Sequence, residues 1–132
     1  MNVERINPAE LPRASGFSHA VSATGRMVFL AGQIGMDRDG KVVGGGIVPQ
    51  FEQAFGNLLA TLAAAGGHPA DLVSLTVYLT DVEDYQAHGK EIGAVWRRLA
   101  GTDYPAMAGV GVTRLWLPEA LVEIQGIAVI SG

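Results

Sequence analysis

The sequence contains no cysteine. That absence removes a disulfide framework, a cysteine-ligated zinc site and thiol catalysis together. It fits a reducing compartment. Charge is scarce as well. Only 17% of the 132 residues are charged, and only nine are Lys or Arg, giving a net charge of −4. No basic cluster exceeds Arg97–Arg98. A nucleic-acid-binding face needs cations to meet phosphates, so no nucleic-acid partner is expected. Long apolar runs are missing too, and those present are far too short to span a bilayer. The first residues, MNVERINPAELPR, lack the apolar core of a signal peptide. The expectation is a soluble cytoplasmic protein without a membrane partner.

What the chain does have is apolar material, 48% of its residues. That is enough for a globular core at this length, and residues 1–132 read as one domain. Residues 3–6 suit a short strand. HAVSA and RMVFLAG, separated by Thr24–Gly25, read as a β-hairpin. MDRDGKVVGGG is a glycine-rich connection without the Gly-Lys-Ser/Thr ending of a phosphate loop. Pro49 suits the first turn of a helix, and Phe51, Phe55, Leu58, Leu59 and Leu62 follow on one helical face. Gly66–Gly67 ends it. LVSLTVYL, residues 72–79, is a buried strand. Asp81–Asp84 offer a helix N-cap, and Tyr85, His88, Ile92, Val95, Trp96 and Leu99 form one stripe, stopped at Gly101. Two strands, 106–113 and 121–130, complete the chain. Each strand–helix–strand passage is a crossover, so the class is α+β with a mixed sheet and two helices on one face. The other face needs cover, which points to an oligomer.

Few side chains could do chemistry. In LVEIQGIAVI, alternation puts Leu121, Glu123, Gln125, Ile127 and Val129 on one face and Val122, Ile124, Gly126, Ala128 and Ile130 on the other. Glu123 is therefore a carboxylate within an apolar strand. It suits either an exposed or paired structural position, or a cleft where it positions or deprotonates water. His19, His68 and His88 lack close metal-ligand spacing, so no metal site is expected. His88 lies on the helical stripe and suits a packed, hydrogen-bonded role or a catalytic one. The serines lack a nucleophile elbow. Trp96 and Trp116 suit core and interface anchors. DYPAMAGVGVTR, residues 103–114, has no charged side chain between Asp103 and Arg114.

The pieces GFSHAV, VFLAGQIGMD, GKVVGGGIVPQFEQAFGNLLATLAAAG, LVSLTVYLTDVEDY, YPAMAGVGV and LPEALVEIQGIAV, in this order, resemble the RidA family, also called YjgF/YER057c/UK114. The resemblance covers nearly the whole chain. It implies a chorismate-mutase-like fold, a homotrimer whose sheets form a central barrel, and three small-molecule clefts between subunits. It implies no cofactor. The best-known members hydrolyse enamines and imines such as 2-aminoacrylate to a 2-keto acid and ammonia. In them an Arg grips the substrate carboxylate, and a Glu on the last strand handles water.

Position by position, the resemblance puts that Glu at Glu123. The family Tyr becomes Phe17, the Ser before the Gly-Gln pair becomes Ala31, and the helix Asn falls at Gly89 beside His88. The carboxylate-binding Arg becomes Met107 in PAMA, and a frequent Cys becomes Gly109. The chain thus resembles a divergent member without the family's Arg. Arg114 or Arg26 could supply a substitute cation, and backbone N–H groups near Ala108 and Gly109 could hold an oxygen. The expected activity is a deaminase-type hydrolase of a small imine, enamine or related reactive metabolite. Glu123 would be catalytic, and Phe17, Ala31, His88, Met107, Ala108, Gly109 and Trp116 would shape the cleft. The alternatives are a non-catalytic trimer that binds a metabolite or has a regulatory role, and an endoribonuclease.

Overall fold

The apolar spacing from Phe51 to Leu62 folds as expected. Helix α1 runs Ile47–Ala64 and buries Phe51, Phe55, Leu58 and Leu62 almost completely. Each such side chain contributes about 1.5–3 kcal/mol on leaving water. At its end, Gly66 takes φ 90°, and the N–H groups of Gly66 and Gly67 bond the carbonyls of Ala63 and Leu62. That reversal satisfies carbonyls the helix would otherwise leave open. The computed structural model describes residues 3–131.

The described residues also form six strands. β1 is Val3–Ile6, β2 Ala20–Ala23, β3 Arg26–Ile34, β4 Leu72–Leu79, β5 Ala106–Gly111 and β6 Val122–Ile130. The main sheet has the order β3-β6-β4-β5. β6 is antiparallel to both β3 and β4, and β4 is parallel to β5, so the sheet is mixed. The helical layer covers one face. Val122, Ile124 and Ala128 of β6, which the alternation puts on one face, point into it, and Leu30, Leu72, Leu75 and Val77 join them in the core. A mixed sheet with a helical layer on one face is the α+β class expected from the sequence.

Two expectations are corrected. The β2–β3 hairpin does not form. β2 pairs with β1 in a separate two-stranded ribbon, and β3 pairs with β6. The Thr24–Gly25 turn is real, but at Gly25 (φ 148°) the backbone lies against the Ile130 carbonyl, at the end of β6. β3 has nine residues and an apolar partner strand, so it gains more by burying Val28 and Leu30 under α1 than by folding back on the short β2. The second helix is also interrupted. It starts as α2, Val82–Ala87, where Asp81 accepts from the Asp84 N–H at 3.0 Å, and resumes as α3, Gly89–Ala100. His88 sits at the break with φ −106° and ψ 19°, and Gly89 comes next. Glycine weakens helix continuation at that point. The stripe still works across the break. Ile92, Val95 and Trp96 are buried, and Trp96 stacks on Phe55 with ring centroids 4.2 Å apart.

Among the described residues, no helix covers the other sheet face. Phe29 is 72% exposed there, and Met27 is exposed beside it. Tyr78 and Gln125 hydrogen-bond across the same face at 3.2 Å.

Candidate active site

Glu123 lies on the open face of β6, opposite Ile34 of β3 and Tyr78 of β4. Its surroundings come from an irregularity in β3. Leu30 pairs with Gly126 and Gln33 with Ile124, so Ala31 and Gly32 together face Gln125. Such a β-bulge bends the strand and re-aims its later side chains. At Gly32 a Cβ would overlap Oε2 of Glu123, so the carboxylate lies directly against the glycine. Only glycine permits that approach.

The loop between β5 and β6 forms the opposite wall. The buried Gln50 of α1 holds it: Nε2 donates to the Glu119 carbonyl at 3.1 Å, and Oε1 accepts from the Leu121 N–H at 2.8 Å. The resulting cleft has a volume of about 780 Å³ and is lined by Gly32, Ile34, Met36, Arg114, Leu115, Trp116 and Glu123. Trp116 is 87% exposed at its mouth. Among the described residues, the Glu123 carboxylate accepts no side-chain hydrogen bond and enters no ion pair. A carboxylate facing a cleft without an internal partner is free to bind water or a ligand donor.

Phe17, Met107, Ala108 and Gly109 gather elsewhere. They line a cavity of about 300 Å³ with Gly16, Val77 and Tyr85. Ser18 anchors Phe17 there. Its N–H bonds the Pro105 carbonyl at 2.9 Å, its hydroxyl bonds the Tyr104 carbonyl at 2.7 Å, and it bridges Ala106. A further hollow of about 310 Å³ between the N-terminal loop and α3 shares Gly16, Tyr85 and Met107 with this cavity. Burial raises the Tyr85 hydroxyl pKa, keeping it neutral. This cavity holds no charged side chain.

One protomer therefore splits the expected residues between two sites, with Glu123 and Trp116 in one and Phe17, Met107, Ala108 and Gly109 in the other. Ala31 is exposed on the bulge and lines neither cavity. His88 also stands apart. Its Nδ1 bonds the Asp84 carbonyl at 2.9 Å and lies 3.2 Å from the Asp84 carboxylate. That carbonyl bond, opposed by desolvation and helped by the charges of Asp84 and Glu91, raises the imidazole pKa. Sequence reasoning named Arg114 only as a possible cation and missed Gly32, Ile34 and Met36. The Gly32 signal was present in LAGQ, where a glycine interrupts an apolar strand. No group of three or more His, Asp or Glu residues suited to a metal occurs among the described residues. No helix there is long and apolar enough to cross a membrane.

A sequence model described as endoribonuclease L-PSP matches residues 8–130. The chain belongs to this family, the Rid or YjgF/YER057c/UK114 family. It is 37% identical over 127 residues to a RutC family protein of Pyrococcus horikoshii, covering 95% of this chain and 96% of that one. It is 36% identical to a 2-iminobutanoate/2-iminopropanoate deaminase of Capra hircus, covering 94% of this chain and 88% of the relative. Among solved structures, the Rid family protein YyfB of Yersinia pestis superposes with a TM-score of 0.88 at 36% identity, covering 98% of this chain and 100% of that one. RidA of an Antarctic Psychrobacter gives 0.69 at 32% identity, with 96% and 99% covered.

Proposed function

We propose that this protein is a deaminase-type hydrolase of small imines or enamines, acting in clefts between the subunits of a homotrimer. The observation that carries the reading is Glu123: an unpaired carboxylate laid against Gly32 on the wall of a 780 Å³ cleft. Relatives named 2-iminobutanoate/2-iminopropanoate deaminase, at about a third identity over nearly the whole chain, support the same chemistry.

The step needs only water. Glu123 accepts a proton as the water oxygen attacks the imine carbon, and the C=N π pair moves to nitrogen. The proton then passes to that nitrogen. The hydroxyl then gives its proton, by way of the Glu123 carboxylate, to the amine nitrogen as the C–N bond breaks, so ammonia leaves and the oxygen becomes a carbonyl. The imine and water are consumed, and a ketone or keto acid and ammonia are formed. An enamine enters through its imine tautomer.

The exposed Phe29 and Met27 support the trimer, because a monomer would leave them in water. In that assembly the Glu123 cleft of one subunit would meet the Phe17–Met107–Gly109 cavity of its neighbour. β5 is the edge strand of its sheet, so its outer backbone groups around Ala108 and Gly109 are available to an incoming oxygen. The apolar residues at positions 17, 31 and 107 favour a second reading, a trimer that binds a metabolite without turning it over. The test is to generate 2-aminoacrylate in situ and time its loss with and without the protein. Acceleration with ammonia release supports the hydrolase. Thermal stabilisation by a small ligand without acceleration favours the binding protein.

A further inference from the structure

We infer that Arg114 is the cation of the Glu123 cleft, receiving the carboxylate of a small ligand in place of the Arg absent at position 107. For its catalytic meaning this rests on the hydrolase reading; its binding claim stands separately.

Four observations converge. Arg114 lines the same cleft as Glu123. The other arginines stand outside this cleft: Arg26 bonds the Ala65 carbonyl at the end of α1, Arg5 bonds the carbonyls of Tyr104 and Ala70, Arg98 pairs with Glu52, and Arg97 lines the hollow beside α3. Second, Arg114 forms no ion pair with Glu123 or any other described carboxylate. The cleft therefore keeps a positive and a negative group that do not neutralise each other. Third, the guanidinium is already held: Nε donates to the Leu115 carbonyl at 3.1 Å and Nη2 to the Trp116 carbonyl at 3.2 Å. Nη1 stays free for a ligand, and a clamped side chain loses less rotamer freedom on binding than a mobile one. Fourth, Gln50 fixes the loop at Glu119 and Leu121, so the clamp rests on the core helix.

The pairing defines a ligand class. A carboxylate binds Arg114 while the adjacent imine carbon stands where Glu123 handles water. A neutral imine would use only the Glu123 side and leave the guanidinium to solvent.

The test is calorimetric titration of 2-oxobutanoate, the stable keto acid such a reaction would yield, and of neutral 2-butanone. Wild type, Arg114→Met and Arg114→Lys are compared, after thermal melts establish equal folding. Wild type is expected to bind the keto acid, Arg114→Met to weaken it on the order of tenfold to a hundredfold, and Arg114→Lys to fall between. Binding of 2-butanone is expected to be equal in all three. Equal keto-acid binding by wild type and Arg114→Met overturns the inference, as does no keto-acid binding by wild type. Turnover of an imino acid separates the two claims. Turnover that ignores Arg114→Met sinks Arg114 and leaves the hydrolase. Arg114-dependent binding without any turnover sinks the hydrolase and leaves Arg114.

Discussion

The two cavities of this protomer are built from opposite materials. The Glu123 cleft holds a free carboxylate and a clamped guanidinium. The Phe17–Met107 cavity holds aromatic, thioether and glycine surface and no charge. Charged groups line only the first of the two. A charge left in an apolar cavity without a partner costs several kcal/mol, so the second cavity suits the uncharged end of a ligand. In the proposed assembly, the charge-bearing half would carry the chemistry, and the apolar half would select the side chain that fits beside it.

The sharpest break in this comparison is Glu123→Gln. It keeps the shape and removes the base, so imine hydrolysis is expected to fall by about 10²–10⁴ while the melting temperature holds. A stopped assay for ammonia reads this directly. Met107→Arg should blur the contrast by charging the apolar half. Calorimetry is expected to show keto-acid affinity rising on the order of tenfold, because a charge-assisted hydrogen bond is added. Gly32→Ala acts more gently. A Cβ there pushes the Glu123 carboxylate aside, and since that end of the side chain can swing, folding should survive. Turnover is expected to drop about tenfold at unchanged stability, the consequence of a base displaced by part of an ångström.

The smallest effect lies at His88, outside both cavities. Its folded pKa is raised above the ordinary value of about 6.5, chiefly by the Asp84 carbonyl. The charged ring therefore adds stability that is complete below about pH 6.5 and is lost as pH rises through the folded value. Melting curves of wild type and His88→Asn should differ most near pH 5.5 and converge near pH 8.5. An NMR titration should place the His88 midpoint above that of a model imidazole.

Much of the sheet was legible because strand periodicity carries its own geometry. The alternation of residues 121–130 put Val122, Ile124 and Ala128 on one face and Glu123 on the other, and the structure keeps that division, with the first three in the core. α1 was legible for the same reason at period 3.6. Strand partners were not. A turn at Thr24–Gly25 names two strands without saying what each will bury, and β3 chose β6. The break at His88 was hidden because the apolar stripe continues across it. In the site, Glu123 stood out as a charge in an apolar strand. The clefts did not, because spacing along the chain cannot bring the 112–121 loop over β6. The Gln50 hydrogen bonds that hold the loop span about seventy positions.

The central claim is that the two cavities are halves of one site, joined across subunits. Glu123→Gln disables one half. Gly109→Trp fills the other, where the glycine has open space for a side chain. The two variants would be co-expressed with different tags, and mixed trimers isolated on both. Each variant alone is expected to be inactive. A mixed trimer has one interface where an intact Glu123 meets an intact cavity, so about a third of wild-type turnover should return. Mixed trimers as inactive as their parents would contradict the shared site.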